Sequence, residues 1–133
     1  MISTKELLSG NIITDLSIAQ QHNLEDLKAK LNIIRLAWNK PMVITSGFRT
    51  LYQHRLIYSK KGIDKPPMGS LHLSARAADV ADPFGNLGLW LQQNPDILEK
   101  ADLYCEITRG PWQHFQTAPF KSYKPGGTRW FNP

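Results

Sequence analysis

The longest regular apolar pattern in the chain begins after Asn23 and repeats at helical spacing. It predicts a helix with one buried face, formed by Leu24, Leu27, Leu31, Ile34 and Trp38. Asn23 suits an N-cap, and Lys40 followed by Pro41 ends the pattern. We interpret this stripe as part of a hydrophobic core and not as a cofactor-binding pattern.

Glycine and proline divide the rest of the chain into short segments. Strands are predicted, from β-branched content and bounding turns, at residues 42–45, 75–81, 103–108 and 112–117. Further helices are predicted from Thr50 to about Lys60, from Asp82-Pro83 to Asn94, and from Asn94-Pro95 to Lys100. This order predicts an α+β fold in which helices pack on a small, mainly antiparallel sheet.

A single domain is predicted over residues 1–133, because this length is typical of one domain. Residues 1–20 are predicted to form a short helix or an arm lying on the body. Residues 118–133 are predicted to form an irregular tail, held by Trp130 and Phe131. No apolar run approaches the roughly 20 residues that cross a bilayer. No signal peptide is legible at the N-terminus, so we expect synthesis in the cytoplasm.

The charge balance favours anionic partners. The formal net charge is +5, and the sequence pI is about 9.5. Lysine and arginine are scattered and no nucleic-acid recognition motif is legible, so binding of nucleic acid ranks well behind other functions. The single cysteine, Cys105, excludes an intramolecular disulfide and is predicted to be a small core residue.

Two histidines and one aspartate form the most informative set of polar residues. His72 and Asp79 lie seven residues apart with small residues between them, and His114 follows far downstream. Two imidazoles and one carboxylate are a known protein ligand set of catalytic zinc, with the fourth position left to water. The alternative is a surface histidine beside a turn-capping aspartate.

Three motifs occur together around these residues: S-G-F-R at 46–49, S-x-H-x-x-x-x-A-x-D at 70–79, and W-x-H at 112–114. Their order and gaps resemble the zinc D-alanyl-D-alanine carboxypeptidase and L-alanyl-D-glutamate endopeptidase family, from about residue 23 to the C-terminus. Members cleave the peptide stems of peptidoglycan, and many are phage lysis enzymes. The resemblance implies a hedgehog/D-Ala-D-Ala carboxypeptidase-like fold with a zinc site at the sheet.

The resemblance also implies roles for individual residues. His72, Asp79 and His114 would hold Zn²⁺, and Arg49 would bind a carboxylate or carbonyl oxygen of the substrate. The alternative for Arg49 is an ion pair with a carboxylate at the edge of the core. Arginine presents a planar fork of donors, which suits either partner.

Two further residues are candidates for substrate binding. Ser70 matches the serine of the family motif, although a simple turn role is equally open. Trp112 could line the substrate groove or pack in the core beside it. Ala75 stands where the family usually has glycine, so we expect the backbone there to avoid positive φ.

The general base is the point at which this sequence departs from the family. Many members carry Asp or Glu three residues before the last histidine ligand, where this chain has Pro111. If the strands on either side of the 109–111 turn pair, Glu106 comes near His114, and we assign it as the candidate base. The alternative is a solvated carboxylate at a strand end, and Asp102 is a weaker candidate base.

The sequence therefore predicts a zinc metallopeptidase that acts on peptidoglycan stem peptides. Both D,D-carboxypeptidase and L,D-endopeptidase action remain open. We expect a monomer with no membrane or nucleic-acid partner, which reaches the cell wall after release, as in phage lysis. The alternative is a catalytically impaired, zinc-containing module of the same fold that binds the cell wall.

Overall fold

The computed structural model describes residues 1–133. Its helices are α1 (Thr4–Leu7), α2 (Ile18–Trp38), α3 (Leu51–Lys60), α4 (Asn86–Gln93) and α5 (Asp96–Ala101), with a 3-10 turn at Ile13–Asp15. Its strands are β1 (Ile44–Ser46), β2 (Ala77–Ala81), β3 (Tyr104–Glu106), β4 (Trp112–Gln116) and β5 (Trp130–Phe131). None of the helices has both the length and the apolar character needed to span a membrane.

The five strands form one sheet in the order β1-β2-β4-β3-β5. All neighbouring strands are antiparallel except β3 and β5, which are parallel. The prediction of an α+β fold with a small, mainly antiparallel sheet is therefore confirmed.

One face of the sheet packs with the apolar stripe of α2. Leu24, Leu27, Leu31 and Ile34 are all 0% exposed and join the sheet residues Ala78, Val80, Cys105 and Phe115 in one core cluster. Because side chains alternate across a strand, the residues between these sheet positions lie on the opposite face. Cys105 is a core residue, as predicted.

Helix α2 begins at Ile18 and not after Asn23. Ser17 caps it, because its side chain accepts a hydrogen bond from Gln20 N at 3.1 Å, and the Gln20 side chain accepts in return from Ser17 N at 2.8 Å. This reciprocal capping box outweighs the weaker signal at Asn23. The Asn23 amide instead donates to the carbonyl of Ser74 at 3.0 Å.

The region after β2 also differs from the prediction. The sequence predicts a helix from Asp82-Pro83 onwards, but α4 begins at Asn86. Asp82 nevertheless caps the helix, since its carboxylate oxygens accept from Leu87 N at 3.0 Å and from Gly88 N at 2.9 Å. The carboxylate thus reaches across a turn to satisfy amides that would otherwise lack partners.

The tail contains a strand that the sequence did not reveal. β5 pairs with β3, with Cys105 N donating to Arg129 O at 2.9 Å and Ile107 N donating to Phe131 O at 2.7 Å. Phe120 stacks on Phe131 with ring centroids 5.2 Å apart. The tail is therefore held by a backbone ladder as well as by its aromatic side chains.

Candidate metal centre

The register of the sheet places one residue from each strand in a single row. Ser46 pairs with Asp79, Asp79 with His114, His114 with Glu106, and Glu106 with Phe131. Residues that are partners across neighbouring strands share a face of the sheet. The row lies on the face opposite α2 and brings together residues that are widely separated in the sequence.

His72 reaches this row from a compact turn at residues 70–75. Arg76 N donates to Leu71 O at 2.9 Å, and Ala75 N donates to His72 O at 3.3 Å. This pair of bonds matches a Schellman closure, which requires a left-handed residue. Ala75 has φ +60°, so the expectation that it avoids positive φ is wrong. The conformation costs about 1–2 kcal/mol for a residue other than glycine.

The three predicted ligands meet around the Asp79 carboxylate. His114 Nδ1 lies 2.9 Å from Asp79 Oδ1, and His72 Nε2 lies 3.4 Å from Asp79 Oδ2. The candidate ligand atoms all lie within 4.8 Å of one another. This group could hold a metal ion.

The hydrogen bonds of the two imidazoles fit this interpretation. His72 Nδ1 is 2.8 Å from the carbonyl oxygen of Gly47, and a carbonyl can only accept, so the ring carries its proton there. The other ring nitrogen, Nε2, then faces Asp79. His114 Nε2 is 3.1 Å from Gln116 Oε1, which leaves Nδ1 facing Asp79. Two imidazole nitrogens and a carboxylate oxygen are zinc donors, so the residues present fit zinc.

Residue 47 must be a glycine, because the backbone of residues 7–9 passes close to it beside this site. A Cβ atom at residue 47 would collide with the backbone carbonyl of Leu7, which already accepts from Phe48 N at 2.8 Å. Gly47 N donates to Ser9 Oγ at 2.8 Å. The close approach of residues 7–9 therefore fixes the carbonyl that orients His72.

Arg49 lies beside the cluster. Its Nη2 lies 3.6 Å from Asp79 Oδ2, and its Nε donates to Ser46 Oγ at 3.0 Å. Its backbone N–H donates to His72 O at 3.0 Å. The carboxylate that Arg49 approaches is that of Asp79, one of the three candidate metal ligands. An ion pair with this carboxylate and a role in substrate binding would therefore both place the guanidinium beside the cluster.

Glu106 lies beside His114 in the row, as expected if the strands flanking the 109–111 turn pair. Glu106 and Trp112 both line a cavity of about 480 Å³. Trp112 is 39% exposed, so it is not a core residue. Its position two residues before His114 places it on the same face of β4.

The remaining candidates lie elsewhere. Asp102 forms ion pairs with Lys30 at 3.0 Å and with Arg129 at 3.2 Å, away from the three ligands. Ser70 contributes its carbonyl to the turn, accepting from Leu73 N at 3.2 Å, and its hydroxyl makes no hydrogen bond with the cluster. The turn role of Ser70 thus has direct support, whereas its role in substrate binding stays a prediction.

Two groups beside the cluster were not predicted from the sequence. They are the carbonyl of Gly47 and the side-chain amide of Gln116. Gln116 had a usable signal, because a residue two positions after His114 on a strand must share its face. No sequence signal pointed to the Gly47 contact, since it joins a backbone carbonyl to a side chain 25 residues away.

The Asp79–His114 contact shifts both pKa values. Burial alone would raise the pKa of Asp79, but hydrogen bonds from His114 and His72 hold that pKa well below its usual range. Burial alone would lower the pKa of His114, but the bond to Asp79 raises it above its ordinary value. Without a metal, the two groups therefore form an ion pair at pH values between the lowered pKa of Asp79 and the raised pKa of His114.

We expect zinc affinity to fall as the pH drops below the raised pKa of His114. The metal binds the unprotonated Nδ1 of His114, so a proton on this ring competes with the metal. This competition weakens apparent zinc binding about tenfold for each pH unit below the His114 pKa. Asp79 stays ionised in this range, because its pKa is lowered, and adds no further competition. Zinc titrations of the metal-free protein between about pH 5 and pH 8 measure the profile.

His22 provides the control for this profile, because it is exposed on α2 and lies outside the cluster. His22→Asn should leave the pH dependence unchanged. A zinc affinity independent of pH in the unaltered protein would contradict a metal site that includes His114.

The chain matches no protein-family profile and no curated protein by sequence. A solved structure, the L-Ala D-Glu endopeptidase ChiX of Serratia marcescens, resembles it with a TM-score of 0.49 and 18% sequence identity. That similarity covers 77% of this chain and 89% of ChiX. At this level the likeness assigns no activity to the chain, so a functional assignment depends on the site itself.

Proposed function

We propose that this protein is a zinc-dependent peptidase that hydrolyses peptide bonds in the stem peptides of peptidoglycan. The observation that carries the proposal is the convergence of His72, Asp79 and His114, whose ligand atoms lie within 4.8 Å of one another. Arg49 stands beside them, and Glu106 is the next residue in the row. The arrangement combines a metal-binding set, a cation and a free carboxylate on one face of the sheet.

Each of these residues has a distinct task in hydrolysis. His72, Asp79 and His114 would hold the ion with one coordination position open. Zinc supplies Lewis acidity and brings the pKa of a water ligand down to about 7. The Arg49 guanidinium binds a carbonyl or carboxylate oxygen of the substrate and stabilises negative charge that develops there.

Glu106 would move the proton. Its carboxylate accepts a proton from the attacking water as the water oxygen bonds to the carbonyl carbon. It then delivers that proton to the nitrogen as the carbon–nitrogen bond breaks. Pro111 cannot serve, since it has no ionisable side chain. Glu106 is the carboxylate that the sheet register places opposite His114.

The substrate class follows from the three motifs and the charge. S-G-F-R, S-x-H-x-x-x-x-A-x-D and W-x-H occur together here as they do in peptidoglycan carboxypeptidases and endopeptidases. A net charge of +5 favours an anionic cell wall. We place the activity in phage lysis, where a monomeric enzyme acts on the wall after release from the cytoplasm.

Digestion of purified peptidoglycan tests the proposal. The zinc-loaded protein should release new peptide termini, a chelator should stop the release, and added zinc should restore it. Mass spectrometry of the termini distinguishes loss of a terminal D-alanine from cleavage between L-alanine and D-glutamate. Cleavage that persists after complete removal of metal would contradict a zinc peptidase.

A second candidate function is a wall-binding module of the same fold, which the missing carboxylate at Pro111 favours. In that case the zinc-loaded protein would sediment with peptidoglycan and cut no peptide bond. Binding to nucleic acid would instead show a steep dependence on salt concentration. The same digestion, with the pellet examined for bound protein, separates the first two functions.

Arg49→Ala should keep the fold and the zinc while losing most turnover. We expect a loss of about 2–4 kcal/mol in transition-state stabilisation, the range for one donor to a developing oxyanion. Steady-state cleavage rates and zinc content measured on the same preparation check this result. Arg55→Ala is the control, because Arg55 is exposed on α3. A small change in rate with a large drop in Tm would make Arg49 a structural residue.

A further inference from the structure

Gln116 is a buried amide on the same strand face as His114. It is 8% exposed and ends β4, where its backbone is paired with Ala77 on one side and Tyr104 on the other. A residue at this position in a central strand has little freedom to move. Its side chain must therefore satisfy its hydrogen bonds locally.

The two ends of the Gln116 amide have different partners. Its Nε2 donates to the carbonyl of Ala118 at 2.9 Å, and its Oε1 lies 3.1 Å from His114 Nε2. A carbonyl can only accept, so the NH₂ group must face Ala118 and the oxygen must face His114. The backbone of the tail thus fixes which atom the histidine meets.

This orientation selects the tautomer of the ligand. With Oε1 as acceptor, the neutral His114 ring carries its proton on Nε2, which leaves Nδ1, on the side of Asp79, available to a metal ion. A flipped amide would present its NH₂ group to Nε2, and the ring proton would then lie on Nδ1, where the metal must bind. Partners of this kind fix the orientation of metal-bound histidines.

We infer that Gln116 is a positioning residue for the metal centre, holding His114 as the Nε2-protonated tautomer that binds zinc through Nδ1. His72 binds through its other nitrogen, Nε2, because its Nδ1 donates to Gly47. This inference rests on the metal site of the proposed function and does not depend on which bond is cut. It concerns zinc affinity and ring orientation, so it can be measured without substrate.

The test compares three variants with the unaltered protein. Gln116→Met removes the acceptor at similar size, and zinc affinity should fall about 10–100-fold. Gln116→Glu keeps an acceptor and should recover most of that loss. Gln113→Met is the matched control, because Gln113 is also buried on β4 but bonds to Asp82 on the other face. It should lose stability and keep its zinc affinity.

Nitrogen-15 NMR of the zinc-loaded proteins gives an independent readout. The unaltered protein should show a slowly exchanging proton on His114 Nε2 and a metal-bound Nδ1, and Gln116→Met should lose that protection. Zinc affinity and ring protonation unchanged in Gln116→Met would overturn the inference alone. Failure of the unaltered protein to bind zinc would overturn both the inference and the proposed function.

Discussion

His72→Ala is expected to remove zinc from a protein that otherwise binds about one ion per chain, and to abolish metal-dependent cleavage. The substitution deletes one of three protein donors, and two donors do not make a zinc site of the usual kind. His72 is nearly fully buried and donates a hydrogen bond to the Gly47 carbonyl. The variant should therefore also lose about 1–3 kcal/mol of unfolding free energy. Metal analysis after gel filtration, with circular dichroism on the same sample, measures both effects.

His54→Ala is the matched control for this experiment. His54 is also buried and also contacts a backbone carbonyl, that of Pro67 at 2.8 Å, but it lies outside the metal cluster. The control should therefore lose stability and keep its zinc. Unchanged zinc content in a folded His72→Ala protein would show that the ion binds elsewhere.

Glu106→Gln is expected to lower turnover by a factor of roughly 10²–10⁴, with zinc still bound. Glutamine preserves the size of the side chain and cannot accept the proton of the attacking water. The loss should appear in kcat, because Glu106 is not one of the three candidate ligands. Cleavage rates at saturating substrate, measured beside zinc content, provide the comparison.

Asp102→Asn is the control for Glu106, since Asp102 was the weaker candidate and is ion-paired with Lys30 and Arg129. It should cleave at nearly the normal rate. Near-normal cleavage by Glu106→Gln with zinc bound would exclude Glu106 as the base. A selective loss in Asp102→Asn would assign the role there instead. No cleavage by the unaltered zinc-loaded protein would favour the wall-binding module.

The placement of Glu106 shows what local sequence signals can predict. A glycine–proline turn at residues 109–111 between two apolar segments indicates that the flanking strands pair, and the pairing puts Glu106 opposite His114. The convergence of His72 and Asp79 is predictable for a similar reason, because a short turn separates them. The roles of these residues in catalysis remain predictions.

Features that depend on distant contacts could not be predicted. β5 is two residues long, within a segment rich in glycine and proline, and forms because β3 offers an open edge. The positive φ of Ala75 is imposed by the closure of the His72 turn, and its methyl group is buried in the core. The orientation of Gln116 depends on the Ala118 carbonyl, which lies where the chain leaves the sheet.

A crystal structure of the zinc-loaded protein, with anomalous data collected at the zinc absorption edge, tests the metal centre most directly. We predict one strong peak per chain, at about 2.0–2.2 Å from His72 Nε2, His114 Nδ1 and an oxygen of Asp79. No peak between these three residues, or a zinc ion coordinated by other side chains, would contradict the account.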